Sequence, residues 1–163
     1  MLKPLDLTVL AFLRSELRDE AWTQQQVAHG LQIAQSSVHR ALQQLKASDL
    51  LGKHDRAFHE VLVHAVRHVY PPVLGAPTAG VLTSGGHRPL SSALPDADKL
   101  VWPHPEGPDH GTALVPLHPC VPGAALAHPR FHSLMALIDV LRVGRVRERA
   151  TATWQLDAML HLT

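Results

Sequence analysis

Apolar positions follow a helical period at both ends of the chain and lose it in the middle. From Pro4 to Leu17, Leu10, Leu13 and Leu17 share a face with Val9 beside them, which predicts a first helix begun at Pro4 and Asp6. Thr23 then offers a hydroxyl cap and Gln26 sits at the capping-box spacing, so a second helix is expected, with Val27, Ala28 and Leu31 inward. A short turn over Gln32 to Ala34 leads to a third helix that turns Val38, Ala41, Leu42 and Leu45 inward. Phe58, Leu62, Ala65 or Val66, and Val69 fit a helix from about Ala57 to Val69.

The period returns at Arg130. Phe131, Leu134, Ile138 and Leu141 form a stripe that Met135 and Leu137 widen, and Gly144 separates this helix from another over Arg145 to Leu162. A stripe that wide requires a partner surface, either the N-terminal helices or a second copy of the chain. Between the two helical regions, residues 71–129 hold twelve of the thirteen prolines. That density excludes long helices. Val81-Leu82, Leu100-Val101-Trp102 and Leu114-Val115 still mark the segment as packed against something, with short strands expected near Gly80–Thr83 and Thr112–Leu117. The expectation is an extended, mostly irregular segment wrapped over the helical core or a partner. The fold class is therefore mainly α, in three parts: residues 1–70, a Pro/Gly-rich extended segment 71–129, and C-terminal dimerisation or packing helices 130–163.

The third helix carries the candidate chemistry. Its outward residues are Gln35, Ser36, Ser37, His39, Arg40, Gln43, Gln44 and Lys46. These are hydrogen-bonding groups suited to the major groove: Arg can pair bidentately with guanine and Gln with adenine, and Ser can reach bases or phosphates. Lys53 and Arg56, in the following turn, can add phosphate contacts. The pattern Val27-Ala28, Leu31, Ser36 to Val38, Arg40, Leu42, Leu45 and Asp49-Leu50-Leu51 resembles the helix-turn-helix of winged-helix bacterial regulators, particularly the MarR-like and ArsR-like groups. Gln32, Ala34 and Asp49 depart from that pattern, at places where Gly, Ser and Gly are usual. The resemblance covers about the first third of the chain. It implies a three-helix core, DNA contacts from Gln35, Ser36, Ser37, His39, Arg40, Gln43, Lys46 and Lys53, and a homodimeric transcriptional repressor on double-stranded DNA. An ordinary helical hairpin with a solvated polar face is the structural alternative.

Net charge is +1 with neutral His, so no global basic field accompanies this face; that argues against a non-specific DNA coat. The 45% apolar share permits a core, and 4% aromatics make it one of Leu, Val and Ala. Cys120 is the only cysteine, and Lys3, Asp6 and Arg14 break any N-terminal apolar run, so a cytoplasmic location without membrane contact is expected. His64 and His68 stand four apart on one predicted helix, and His104, His110, His118, Cys120 and His128 are scattered among prolines. The first spacing is one zinc can use, but no Cys or carboxylate clearly converges on it, and the second set matches no compact structural zinc pattern, so no metal and no cofactor is expected. No phosphate-cradling Gly loop, nucleophile elbow or HExxH occurs, and Ser84-Gly85-Gly86-His87 reads as a turn, so the chain is not expected to be an enzyme. Arg142, Arg145, Arg147 and Arg149 form a basic cluster suited either to flanking phosphates or to a solvated helix face. The segment "DVLRVGRVRER" also loosely resembles small bacterial proteins encoded beside nucleotidyltransferase-like toxins. That resemblance implies the alternative of an antitoxin-type protein that holds a toxin through its Pro-rich and C-terminal segments and regulates its own operon.

Overall fold

The computed structural model describes residues 1–52 and 54–162. Three helices come first: α1 (Pro4–Glu16), α2 (Gln24–Leu31) and α3 (Gln35–Ala47). The next, α4, is built of Arg56–Glu60, a π-helical turn Val61–Ala65 and Val66–Val69, close to the span the periodicity predicts. The described residues between α3 and α4 form turns and bends, with no strand pair.

The middle segment is more regular than expected. It folds into three strands, β1 (Leu74–Thr83), β2 (Leu100–Pro103) and β3 (Asp109–Leu114), with the short helix α5 (Arg88–Ser91) between β1 and β2. β1 pairs antiparallel with both others, Val81 opposite Trp102 and Thr78 opposite Gly111, while β2 and β3 run parallel and close the sheet on itself. The prolines punctuate this structure without dissolving it. Pro89, Pro122 and Pro129 occupy first turns of helices, where no N–H is needed, and Pro77 stands at an irregularity in the β1–β3 register. The helices α6 (Val121–Ala127), α7 (Pro129–Val143) and α8 (Val146–Met159) complete the chain.

α7 is the hub. From Leu134 to Arg142 every residue is buried, as is Phe131, so this helix is enclosed on all sides. It packs on α1, α4, α6, α8 and the end of β1. The apolar stripe that needed a partner thus finds one inside its own chain. One contiguous core joins residues from all three parts, from Leu7 through Trp102 to Leu160.

A charged pair on α7 sits inside that core. Asp139 is 1% exposed and accepts from Thr83 Oγ1 (2.7 Å), Trp102 Nε1 (2.8 Å) and Arg142 Nη1 (2.8 Å). Arg142, one helical turn on, also donates from Nε to the Tyr70 carbonyl (2.8 Å) and from Nη2 to that of Pro71 (3.4 Å). Arg142 is therefore a buried structural residue and not part of a phosphate-contacting surface. Arg149 is also engaged, donating to the Gly144 carbonyl at 2.6 Å, while Arg145 and Arg147 are exposed. The opposite end of α7 holds imidazoles. His132 Nε2 lies 2.6 Å from the Leu82 carbonyl, His87 Nε2 lies 3.0 Å from Ser133 Oγ, and the two rings stack at 3.9 Å.

Asp139→Ala is expected to cost about 3–5 kcal/mol of stability in chemical denaturation, because it leaves the buried Arg142 guanidinium without its counter-charge. Burial pushes the His87 imidazole down to about 4, with His132 and Arg88 adding to the shift, and burial lowers His132 also. The folded state therefore disfavours protonation of both rings, of His87 down to about 4, whereas the unfolded chain takes up protons near the ordinary 6.5. Stability is therefore full above that value and falls as pH drops toward about 4, by roughly 3 kcal/mol through His87. The Asp139 carboxyl, raised by burial against the pull of Arg142, acts with the opposite sign. A His87→Asn variant, unfolded with urea across this pH range, isolates the imidazole effect: its stability should vary less with pH than that of the parent.

Candidate nucleic-acid interface

α2 and α3 owe their geometry to three local devices. Thr23 Oγ1 accepts from the Gln26 N–H at 3.2 Å while Gln26 Oε1 accepts from the Thr23 N–H at 2.8 Å, so the expected capping box is formed. Gln32 takes the left-handed conformation (φ 55°) that closes α2, and the Ile33 N–H returns to the Ala28 carbonyl at 3.0 Å. Asp49 (φ 56°) does the same after α3, with the Leu50 N–H reaching the Leu45 carbonyl at 2.9 Å and both leucines buried. The turns thus keep left-handed closures at positions where Gly would be less strained.

The inward residues of α3, Val38, Ala41, Leu42 and Leu45, are all buried, and the helix packs on α1 and α2. Gln35, Ser36, His39, Arg40, Gln43 and Lys46 are exposed, while Ser37 is half-buried. Lys53 lies outside the described residues. Arg40 is central to this surface. On one side it borders a cleft of about 620 Å³ with Lys3, Ser37, Gln43 and Gln44, against the start of α1. On the other it borders a shallower cleft of about 420 Å³ with Gln24, Gln35, Ser36 and His39, against the start of α2. Lys46 is set apart from these, in a separate cleft with Trp22, Arg14 and Gly52.

The sequence reading missed two members of this surface. Gln24 lies 3.3 Å from His39, Nε2 to Nδ1, and so fixes the imidazole from the first turn of α2. Its place directly after the Thr23 cap is a signal that could have been used. Lys3 reaches the same face from α1, and nothing in the local sequence announces that contact. The chemistry of the face is hydrogen bonding by amides, hydroxyls, an imidazole and one guanidinium, with cations at its edges. Among the described residues no three His, Cys, Asp or Glu side chains gather as metal ligands, and His64 and His68 are both exposed. Among the described residues no helix is long and apolar enough to cross a membrane.

No family model matches the chain, and neither a curated protein nor a solved structure does. The reading of the site therefore stands on its own residues.

The interface depends on how closely α2 approaches α1. Gly30 makes that approach possible, since a Cβ there would overlap the tip of the Phe12 ring. Phe12 cannot easily yield, because its ring is packed edge-on against His128 and Phe131. Gly30→Ala should therefore destabilise the protein by about 1–3 kcal/mol through overpacking, despite up to about 1 kcal/mol gained in helix propensity. Thermal or urea unfolding of the variant checks the sign.

Proposed function

We propose that this protein is a sequence-specific double-stranded-DNA-binding regulator, acting as a homodimeric repressor through a helix-turn-helix formed by α2 and α3. One observation carries the reading: α3 buries four apolar residues on one side and exposes Gln35, Ser36, His39, Arg40 and Gln43 on the other. An exposed helix of that composition matches the width and hydrogen-bonding code of the major groove. In this reading Arg40, Gln43 and His39 face base edges. Ser36, Ser37, Lys46 and Lys53 serve backbone positioning, joined by Gln24 and Lys3 at the two flanks. Two-fold pairing of such units fits a palindromic operator. The modest net charge suits recognition by a few placed groups rather than a broad basic field.

A second reading, the antitoxin-type interaction protein, is favoured by one feature. Trp154 is 73% and Val146 74% exposed on α8, and an exposed Trp is an anchor of the kind interfaces use. In this second reading the protein partner is primary and DNA contact through α3 is secondary.

The deciding experiment is a fluorescence-anisotropy titration with the DNA upstream of the gene and a scrambled duplex, at two salt concentrations. Selective binding is expected, and Arg40→Ala should weaken it by about 1–3 kcal/mol. Equal, weak and salt-abolished binding to both duplexes would remove the regulator reading. A tight complex with a neighbouring gene product would then favour the second.

A further inference from the structure

A cleft of about 370 Å³ opens between α1, the first turns of α7 and the end of α8, away from α3. Arg14, Arg18 and Arg130 line it, together with His161, over an apolar floor that includes Leu134, Met159 and Leu160. The hydrogen bonds made by two of these arginines leave much of their capacity unused. Arg14 donates from Nε to Asp55 Oδ1 (2.5 Å) and from Nη2 to the Gly52 carbonyl (3.0 Å). Arg18 donates from Nε to the Arg14 carbonyl (3.2 Å) and from Nη2 to Asp55 Oδ2 (2.6 Å). A guanidinium carries five N–H donors, so each retains N–H groups, those of Nη1 included, that no described residue accepts. Both side chains are largely covered, 18% and 22% exposed, and are fixed by Asp55, so their remaining donors are preorganised. Arg130 is exposed and makes no ion pair or hydrogen bond among the described residues. Among the described residues the carboxylates nearby are Asp19, on the lining, Asp55, already clamped, and Glu16, which accepts from the Phe131 N–H at 2.9 Å.

We propose that this cleft binds a small amphiphilic oxyanion, a phosphate monoester carrying a short apolar group, with the phosphate on Arg18, Arg130 and Arg14 and the apolar group on Leu134, Met159 and Leu160. Guanidinium groups match phosphate geometry bidentately, and the apolar floor distinguishes an ester from the free ion. The ligand shares Arg14 and Arg18 with Asp55, the residue directly before α4, and Arg14 also holds the Gly52 carbonyl. Occupancy is therefore coupled to the segment that follows α3. That coupling, unlike the site, rests on the proposed DNA reading.

Isothermal titration of the full chain with hexyl phosphate tests the site, with inorganic phosphate and hexanol as the two partial ligands. Saturable binding to hexyl phosphate is expected, with each partial ligand weaker by tenfold or more. Arg130→Ala should weaken hexyl phosphate by about tenfold or more, while the exposed Arg147→Ala on α8 should not. No saturation up to about 10 mM, equal affinity for hexanol or phosphate, or an unchanged Arg130→Ala variant would overturn the assignment. Saturating hexyl phosphate should also shift the DNA titration. Ligand binding in a protein that binds no DNA leaves the cleft standing and removes the proposed function. DNA binding with a silent calorimeter removes the cleft alone, and both binding events without mutual effect remove the coupling.

Discussion

The buried pair of Asp139 and Arg142 is the constraint on which the rest of the structure depends. A carboxylate and a guanidinium inside an apolar core cost several kcal/mol to desolvate unless nearly all their hydrogen-bonding capacity is met. Here the partners come from far along the chain: Thr83 from the end of β1, Trp102 from β2, and the carbonyls of Tyr70 and Pro71 from the link between α4 and β1. Satisfying one pair of charges on α7 thus fixes where the sheet lies and where the N-terminal helices end. Tyr70 extends the chain of contacts, donating from its hydroxyl to the Leu2 carbonyl at 2.7 Å, so the start of α1 is tied in as well. Apolar packing alone would leave the direction of these attachments less defined, since hydrophobic contact is not directional.

The α3 face inherits its position from this arrangement through α1. α1 is buried from Asp6 to Leu13, with α7 and α3 both packed against it. Phe12 stands where three elements meet, its ring against Phe131 and His128 and under Gly30 of α2. At the far end of α1, Arg14 and Arg18 hold Asp55 and so fix the exit of the chain from α3 toward α4. An exposed recognition surface gains precision when its supporting helix cannot rotate, and α1 is gripped at both ends and along its length.

Helices α1 to α4, α7 and α8 were legible in the sequence from their apolar period, whereas α5 and α6, inside the proline-rich segment, were not anticipated. Thr23 with Gln26 and the Leu and Val spacing of α3 specify local structure that tertiary packing then reinforces. The start of α7 at Pro129 was legible for the same reason. The strands were legible only in part. Gly80–Thr83 and the region after Thr112 showed apolar content, but β1 begins at Leu74 through Gly75, Ala76 and Pro77, residues of low strand preference. It pairs there because β3 lies alongside, a non-local cause that no window of sequence contains. The role of Arg142 was obscured similarly. Among Arg145, Arg147 and Arg149 it reads as one more surface cation, yet it lies one helical turn beyond Asp139 on a helix buried on every side. The surrounding run Leu134 to Leu141, almost entirely apolar, was the signal that a charge beside it would be paired and internal. The flanking groups of the α3 face, Gln24 and Lys3, depend on which helix start meets which helix side, and only the packing of α1 on α3 decides that.

The three parts into which composition divides the chain are therefore not three energetic units. Residues 71–129 supply Thr83 and Trp102 to Asp139, and residues 130–163 supply the helix that covers α1. Among the described residues no flexible tether separates the exposed α3 face from the rest of the fold. Any group that alters α1, at Phe12 or Arg14, or at Arg18 just beyond its end, alters the support of α3 directly, through a contiguous path of packed and hydrogen-bonded atoms. A path of packed atoms does not by itself set the size of a coupling, which is carried by elements that two sites both bias. It does locate where coupling must be sought, along α1 rather than across the sheet, because α1 packs on both α3 and α7.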